Sequence, residues 1–168
     1  MILWAIMMHI YQINNYYYYY FPGDQFEAYI SICVLELIAY IVSEQIFEKV
    51  FKTDKVKKLF YTSFIFCLIG GIGIVVNNPE EHPYLDLTFQ FIAKFGCAFA
   101  YMSAYMTTYL FPVVFSSSTF GFSVMCGSIS SFLAGYTIAS YEHNIPWYIF
   151  IGFSGLGIIV AYFFREYW

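Results

Sequence analysis

The chain has 168 residues, of which 61% are hydrophobic, 24% aromatic and only 11% charged, with a formal net charge of −4. That leaves too little polar surface to cover a water-soluble globule of this length, so composition places the chain in a lipid bilayer. No basic face is available for nucleic acid, and no Gly-rich phosphate loop, paired-histidine metal motif or nucleophile elbow is present, so neither catalysis nor a cofactor is expected.

Six continuously apolar runs read as an all-α membrane protein with six transmembrane helices. About 20 helical residues cross a hydrocarbon core, and only a helix satisfies its own backbone there. The first run, residues 2–21, lacks the basic start and small-residue cleavage site of a signal peptide. His9, Gln12 and Asn15 or Tyr16 recur on it at helical spacing, with His9 close enough to the start to read as interfacial. Tyr16 to Tyr20 and Phe21 form an aromatic belt at the membrane boundary, as do Trp147, Tyr148, Tyr167 and Trp168 near the other end of the chain. Pro22-Gly23 breaks the run.

The second run, residues 26–47, holds Glu36 near its middle, where a charge costs on the order of 2.5–3.5 kcal/mol. Tyr40, Ser43 and Glu44 follow Glu36 at helical spacing, predicting one polar stripe on an otherwise apolar helix. Five of the seven basic residues then come together: Lys49, Lys52, Lys55, Lys57 and Lys58. Lysine collects in cytoplasmic loops, so this stretch orients the chain. The loops carrying Asp24 and Glu27, residues 80–86, and Glu142 fall on the opposite side, and both termini lie in the cytoplasm.

The third run, residues 59–76, carries Gly70, Gly71 and Gly73, and the sixth, residues 147–164, carries Gly152, Gly155 and Gly157. The fifth, residues 117–141, has Gly121, and then Gly127, Ser130, Ser131, Ala134 and Gly135 at spacings of three or four. Small residues let helix backbones approach closely, so all these positions read as packing. In the fourth run, residues 87–111, Lys94, Tyr101, Tyr105 and Thr108 share one face. Cys33, Cys67, Cys97 and Cys126 fall singly inside apolar runs and read as buried thiols rather than metal ligands. Three helices with one polar stripe each predict a shared, water-accessible interior through which a solute passes. The alternative is a Glu36–Lys94 pair that only holds helices together, or a Lys94 that snorkels to the interface.

The segments Gly23-Asp24-Gln25-Phe26 and Leu35-Glu36-Leu37-Ile38-Ala39-Tyr40, followed twelve residues after Glu36 by Glu48-Lys49-Val50-Phe51-Lys52, resemble the seventh-to-eighth helix region of the major facilitator superfamily. The resemblance is to its organic cation, carnitine and organic anion transporter group. Ala93-Lys94-Phe95-Gly96, then Tyr101, Tyr105 and Thr108, then Leu110-Phe111-Pro112-Val113-Val114, resemble that group's tenth helix, and Gly121 with Leu133-Ala134-Gly135-Tyr136 its eleventh. Phe51 stands where the cytoplasmic motif has glycine, Tyr109 where an acid precedes the Leu-Phe-Pro, and Ser116 where an arginine is usual. The resemblance implies one six-helix half of such a transporter, pairing with a second six-helix bundle to move a small organic solute, a cation or zwitterion, by alternating access. It implies a substrate path lined by Glu36, Tyr40, Lys94, Tyr101, Tyr105 and Ser128, and a cytoplasmic motif of Glu48, Lys49 and Lys52. A membrane scaffold or accessory subunit that transports nothing is the competing expectation.

Overall fold

A computed structural model describes residues 1–16, 24–49, 55–77, 81–107, 113–140 and 144–163. Among these, every regular element is an α-helix: α1 (Ile2–Asn15), α2 (Gln25–Lys49), α3 (Lys55–Val76), α4 (Pro83–Met106), α5 (Val113–Ser140) and α6 (Ile145–Phe163). Local chemistry sets several helix starts. The Asp24 carboxylate accepts the backbone N–H of Phe26 at 2.8 Å and of Glu27 at 3.4 Å, satisfying two donors that open α2. Pro83 opens α4, where its missing N–H leaves no intrahelical bond unmade.

Among the described residues, four helices are long and apolar enough to cross a membrane: α2, α3, α5 and α6. α1 is 14 residues long in the described part, and residues 17–21 of the first expected span lie outside it. α4 is 24 residues long, but Gln90 and Lys94 dilute its apolar character. Both helices sit where polar residues find partners. α4 packs on α1, α2 and α3, while α1 packs on α4, α5 and α6, and α3 on α4 and α6.

The bundle buries several polar side chains within a largely apolar core and presents an apolar outer surface. Asn14, Gln90 and Lys94 are buried, whereas Ile30, Val34, Leu37, Ile38 and Ile41 on α2 and Phe122, Ile129, Phe132 and Leu133 on α5 are exposed. Lipid has nothing to gain from apolar burial, so side chains that need hydrogen bonds turn inward.

Close approach between α3 and α4 is set by glycine. A Cβ added at Gly70 would lie 2.5 Å from the Ala93 nitrogen, and one at Gly96 would lie 2.7 Å from the Cys67 nitrogen. Gly71, Gly73, Gly127 and Gly157 are likewise filled over by neighbouring side chains. The expected packing role fails at Gly121, Gly135, Gly152 and Gly155, where nothing lies within 4 Å of an added Cβ. Helical spacing puts small residues on a face, and only the assembled bundle determines whether that face meets anything.

Other expectations are corrected. The basic stretch is not all loop: α3 begins at Lys55, so Lys57 and Lys58 belong to its first turn, and the Lys57 ammonium lies 5.3 Å from the ring centre of Tyr162 on α6. Asp86 is not in an exposed loop but in the first turn of α4, at 2% exposure. His9, read as interfacial, is buried between helices at 5% exposure, with Nδ1 3.2 Å from the Ser130 carbonyl oxygen and its ring centre 4.4 Å from that of Phe153. Cys67 and Cys97 are buried as expected, with sulfurs 3.8 Å apart, while Cys33 is exposed.

Candidate functional site

Glu36 and Lys94 form an ion pair. The Lys94 ammonium stands 2.9 Å from Glu36 Oε2, with the lysine side chain 1% and the glutamate side chain 16% exposed. Lys94 therefore does not snorkel, because α1 and α2 close over it within the bundle. Its ammonium also donates to Asn15 Oδ1 at 2.6 Å and lies 4.3 Å from the ring centre of Tyr11. The second carboxylate oxygen, Glu36 Oε1, accepts hydroxyl hydrogen bonds from Tyr11 at 2.5 Å and Tyr40 at 2.6 Å. Each charge thus has a counter-charge and further partners, which is what keeps a buried ion pair tolerable.

Helical geometry makes the cluster. Tyr11 and Asn15 are four apart and lie on one face of α1, as do Glu36 and Tyr40 on α2 and Gln90 and Lys94 on α4. One turn before Lys94, Gln90 Nε2 donates to the Asn14 carbonyl at 3.1 Å, and Asn14 Nδ2 donates to Gln90 Oε1 at 3.3 Å. This fixes the register of α1 on α4. Sequence reasoning passed over Tyr11, Asn14 and Gln90. The signal was the i, i+4 pairing of polar residues, Tyr11 with Asn15 and Gln90 with Lys94, on helices where each polar side chain must find a partner.

The pair faces a pocket of about 300 Å³ bounded by Tyr11, Gln12, Asn15, Tyr16, Tyr29, Ile32, Cys33, Glu36 and Lys94. A second hollow, of about 510 Å³, is bounded by Ile69, Ile72, Gly73, Val76, Asn77, Leu85 and Phe89. It is larger, but among the described residues no titratable side chain faces it. The chemistry lies in the first.

The remaining expected site residues divide. Tyr40 joins the cluster through its hydroxyl. Tyr101 and Tyr105 are hydroxyl partners at 2.9 Å and reach the site only through rings: Tyr101 lies 5.5 Å from Tyr11 and 6.2 Å from Tyr40. Tyr105 continues the aromatic column to Trp4 at 5.4 Å and Phe120 at 5.7 Å. The α2 stripe does not hold together as expected. Ser43 is buried and donates to the Tyr40 carbonyl at 2.8 Å, while Glu44 is exposed. Ser128 stands apart on α5, exposed, its hydroxyl turned to the Val124 carbonyl of its own helix at 3.0 Å. His9 points away from the cluster to α5 and α6. Lys52 and Thr108 lie outside the described residues, as do the side chains of Glu48 and Lys49 at the end of α2. Among the described residues no group of three or more His, Cys, Asp or Glu side chains could hold a metal ion. No protein-family model matches the chain, and no curated protein matches it.

Proposed function

We propose that this chain is a six-span half of a solute transporter of the major facilitator type, moving a small organic cation or zwitterion by rocking against a second six-helix bundle. One observation carries the reading: an ion pair and hydroxyl groups from α1, α2 and α4 face a polar pocket of about 300 Å³ in a bundle whose outer surface is apolar. Intramembrane acids are expensive and serve substrate or ion pathways more often than packing. The resemblance of the segments around Glu36 and Lys94 to the transporter group supports the same reading. In it α1 and α4 also span, as interior helices whose polar faces line the path, and both termini are cytoplasmic. Both charge signs are present side by side, so a zwitterion finds a counter-charge for each of its ends.

The test is uptake of radiolabelled organic cations and zwitterions into cells or proteoliposomes containing this chain and its partner bundle. Glu36→Gln is expected to abolish uptake while the chain still inserts in the membrane. Normal uptake by that variant would remove Glu36 from the path. The second reading, a scaffold or accessory subunit, is favoured by the partners the pair already has, since Tyr11 and Tyr40 donate to Glu36 and Asn15 accepts from Lys94. It predicts that the native chain copurifies with a large complex and that substitutions on the small-residue faces disturb its assembly more than Glu36→Gln does.

A further inference from the structure

The groups that hold the Lys94 ammonium all come from α1 and α2: the Asn15 amide oxygen at 2.6 Å, the face of Tyr11 at 4.3 Å and the Glu36 carboxylate at 2.9 Å. Only the ammonium itself comes from α4. An ammonium has three N–H donors, and here two meet oxygens while the charge rests on an aromatic face. α1 and α2 each pack on α4 rather than extensively on one another, so this cluster bridges the gap between them. The pocket opens onto that gap, and both Glu36 and Lys94 line it.

We infer that Asn15, Tyr11 and Glu36 form a binding subsite for a primary alkylammonium group, and that Lys94 is its tethered occupant, exchanged for the ammonium of an incoming ligand. The inference rests on reading the pocket as a solute site, and it adds which group of the solute binds and what that group displaces. A tethered lysine competes at high effective concentration, so a free amine binds only in the fraction of molecules whose lysine has swung away. When that fraction is about 1–10%, the wild-type chain binds a free ammonium roughly tenfold to hundredfold more weakly than the empty subsite does. Displacement also removes one polar link between α4 and the α1–α2 pair while the Gln90–Asn14 bonds remain, so occupancy and helix movement are linked.

The lysine side chain beyond its Cα is n-butylamine, which makes n-butylammonium the matching probe. Its binding to the purified chain in detergent at pH 8 is measured by titration calorimetry. Lys94→Ala is expected to bind it at least tenfold more tightly than wild type, and to gain less for tetramethylammonium, which has no N–H to donate. Adding Glu36→Gln to Lys94→Ala should remove the gain. A monodisperse, fully helical Lys94→Ala protein that binds n-butylammonium within twofold of wild type would overturn the proposal, as would an equal gain for both amines. Should Lys94→Ala not purify, the Lys94→Gln chain is assayed in membranes by labelling Cys33, which lines the same pocket. Protection of Cys33 by n-butylammonium in that variant and not in wild type supports the exchange, and equal rates with and without the amine refute it. Calorimetry needs no partner bundle and no translocation. Loss of the butylammonium gain therefore leaves the uptake test of Glu36 standing, and normal uptake by Glu36→Gln leaves the calorimetric result standing.

Discussion

Neutralising one member of the Glu36–Lys94 pair should destabilise the bundle more than neutralising both. In Glu36→Gln the Lys94 ammonium, 1% exposed, loses its counter-charge and faces an amide that supplies a single oxygen. Stranding a buried charge costs about 3–5 kcal/mol, and insertion scales give about 2.5–3.5 kcal/mol for a lysine at mid-span. The Asn15 oxygen at 2.6 Å and the Tyr11 ring at 4.3 Å remain, which puts the expected loss at the lower end, about 3 kcal/mol. Lys94→Met strands a carboxylate that is 16% exposed and keeps the Tyr11 and Tyr40 hydroxyls, so its loss should be smaller, about 2 kcal/mol. With both replaced no charge is stranded, and the expected loss falls to about 1 kcal/mol, a coupling of about 4 kcal/mol between the two sites. The measurement is a double-mutant cycle on unfolding of the purified chain in mixed micelles, followed by helical circular dichroism. Single losses that add to the double loss within about 0.5 kcal/mol would mean that the two side chains do not interact.

Gly70→Ala should destabilise by about 2–3 kcal/mol, because its Cβ would meet backbone and Cβ atoms of Ala93 at 2.5 and 2.7 Å, whereas Gly121→Ala, with nothing within 4 Å, should be neutral or stabilise by up to about 1 kcal/mol. Equal melting temperatures for the two variants would contradict the packing of α3 on α4. A membrane-impermeant thiol reagent should label Cys33, which is exposed on the pocket wall, and leave the buried Cys67 and Cys97 unlabelled until the chain is denatured. Mass spectrometry of the labelled protein reads both, and an unlabelled Cys33 would argue that the pocket is closed to water. Tyr11→Phe, which keeps the ring over Lys94 and removes the hydroxyl 2.5 Å from Glu36, should cost about 1.5–3 kcal/mol, and Tyr11→Leu, which removes both, should cost more. Equal losses in thermal melts of the two variants would show that the ring face contributes nothing.

Much of the architecture could be read from the amino-acid order, because a bilayer leaves a chain few choices. Continuous apolar runs must be helices, and the breaks at Pro22-Gly23, the lysine-rich stretch, residues 77–83, Pro112 and residues 144–146 separate six of them. The same reasoning singled out Glu36 and Lys94, since a charge among apolar residues demands a partner, and it offered their pairing as one of two alternatives. It reached less far at Glu44 and Ser43, where helical spacing suggested a stripe that the bundle splits between surface and interior.

Tertiary structure decided what depends on distances between helices. Whether Lys94 snorkels or pairs turns on α1 and α2 closing over it, and neither is near it in sequence. His9 became a junction between α1, α5 and α6 because Ser130 and Phe153 arrive from far along the chain. The four glycines without neighbours have the same spacing signals as the six that are packed, and only the neighbouring helix distinguishes them. Tyr11, Asn14 and Gln90 carry no charge and stood out least, yet they hold the pair and the helix register. Sequence determined which side chains bilayer physics would not leave facing lipid. Three-dimensional packing chose their partners, because a hydrogen bond is made over about 3 Å between helices whose relative positions no local pattern encodes.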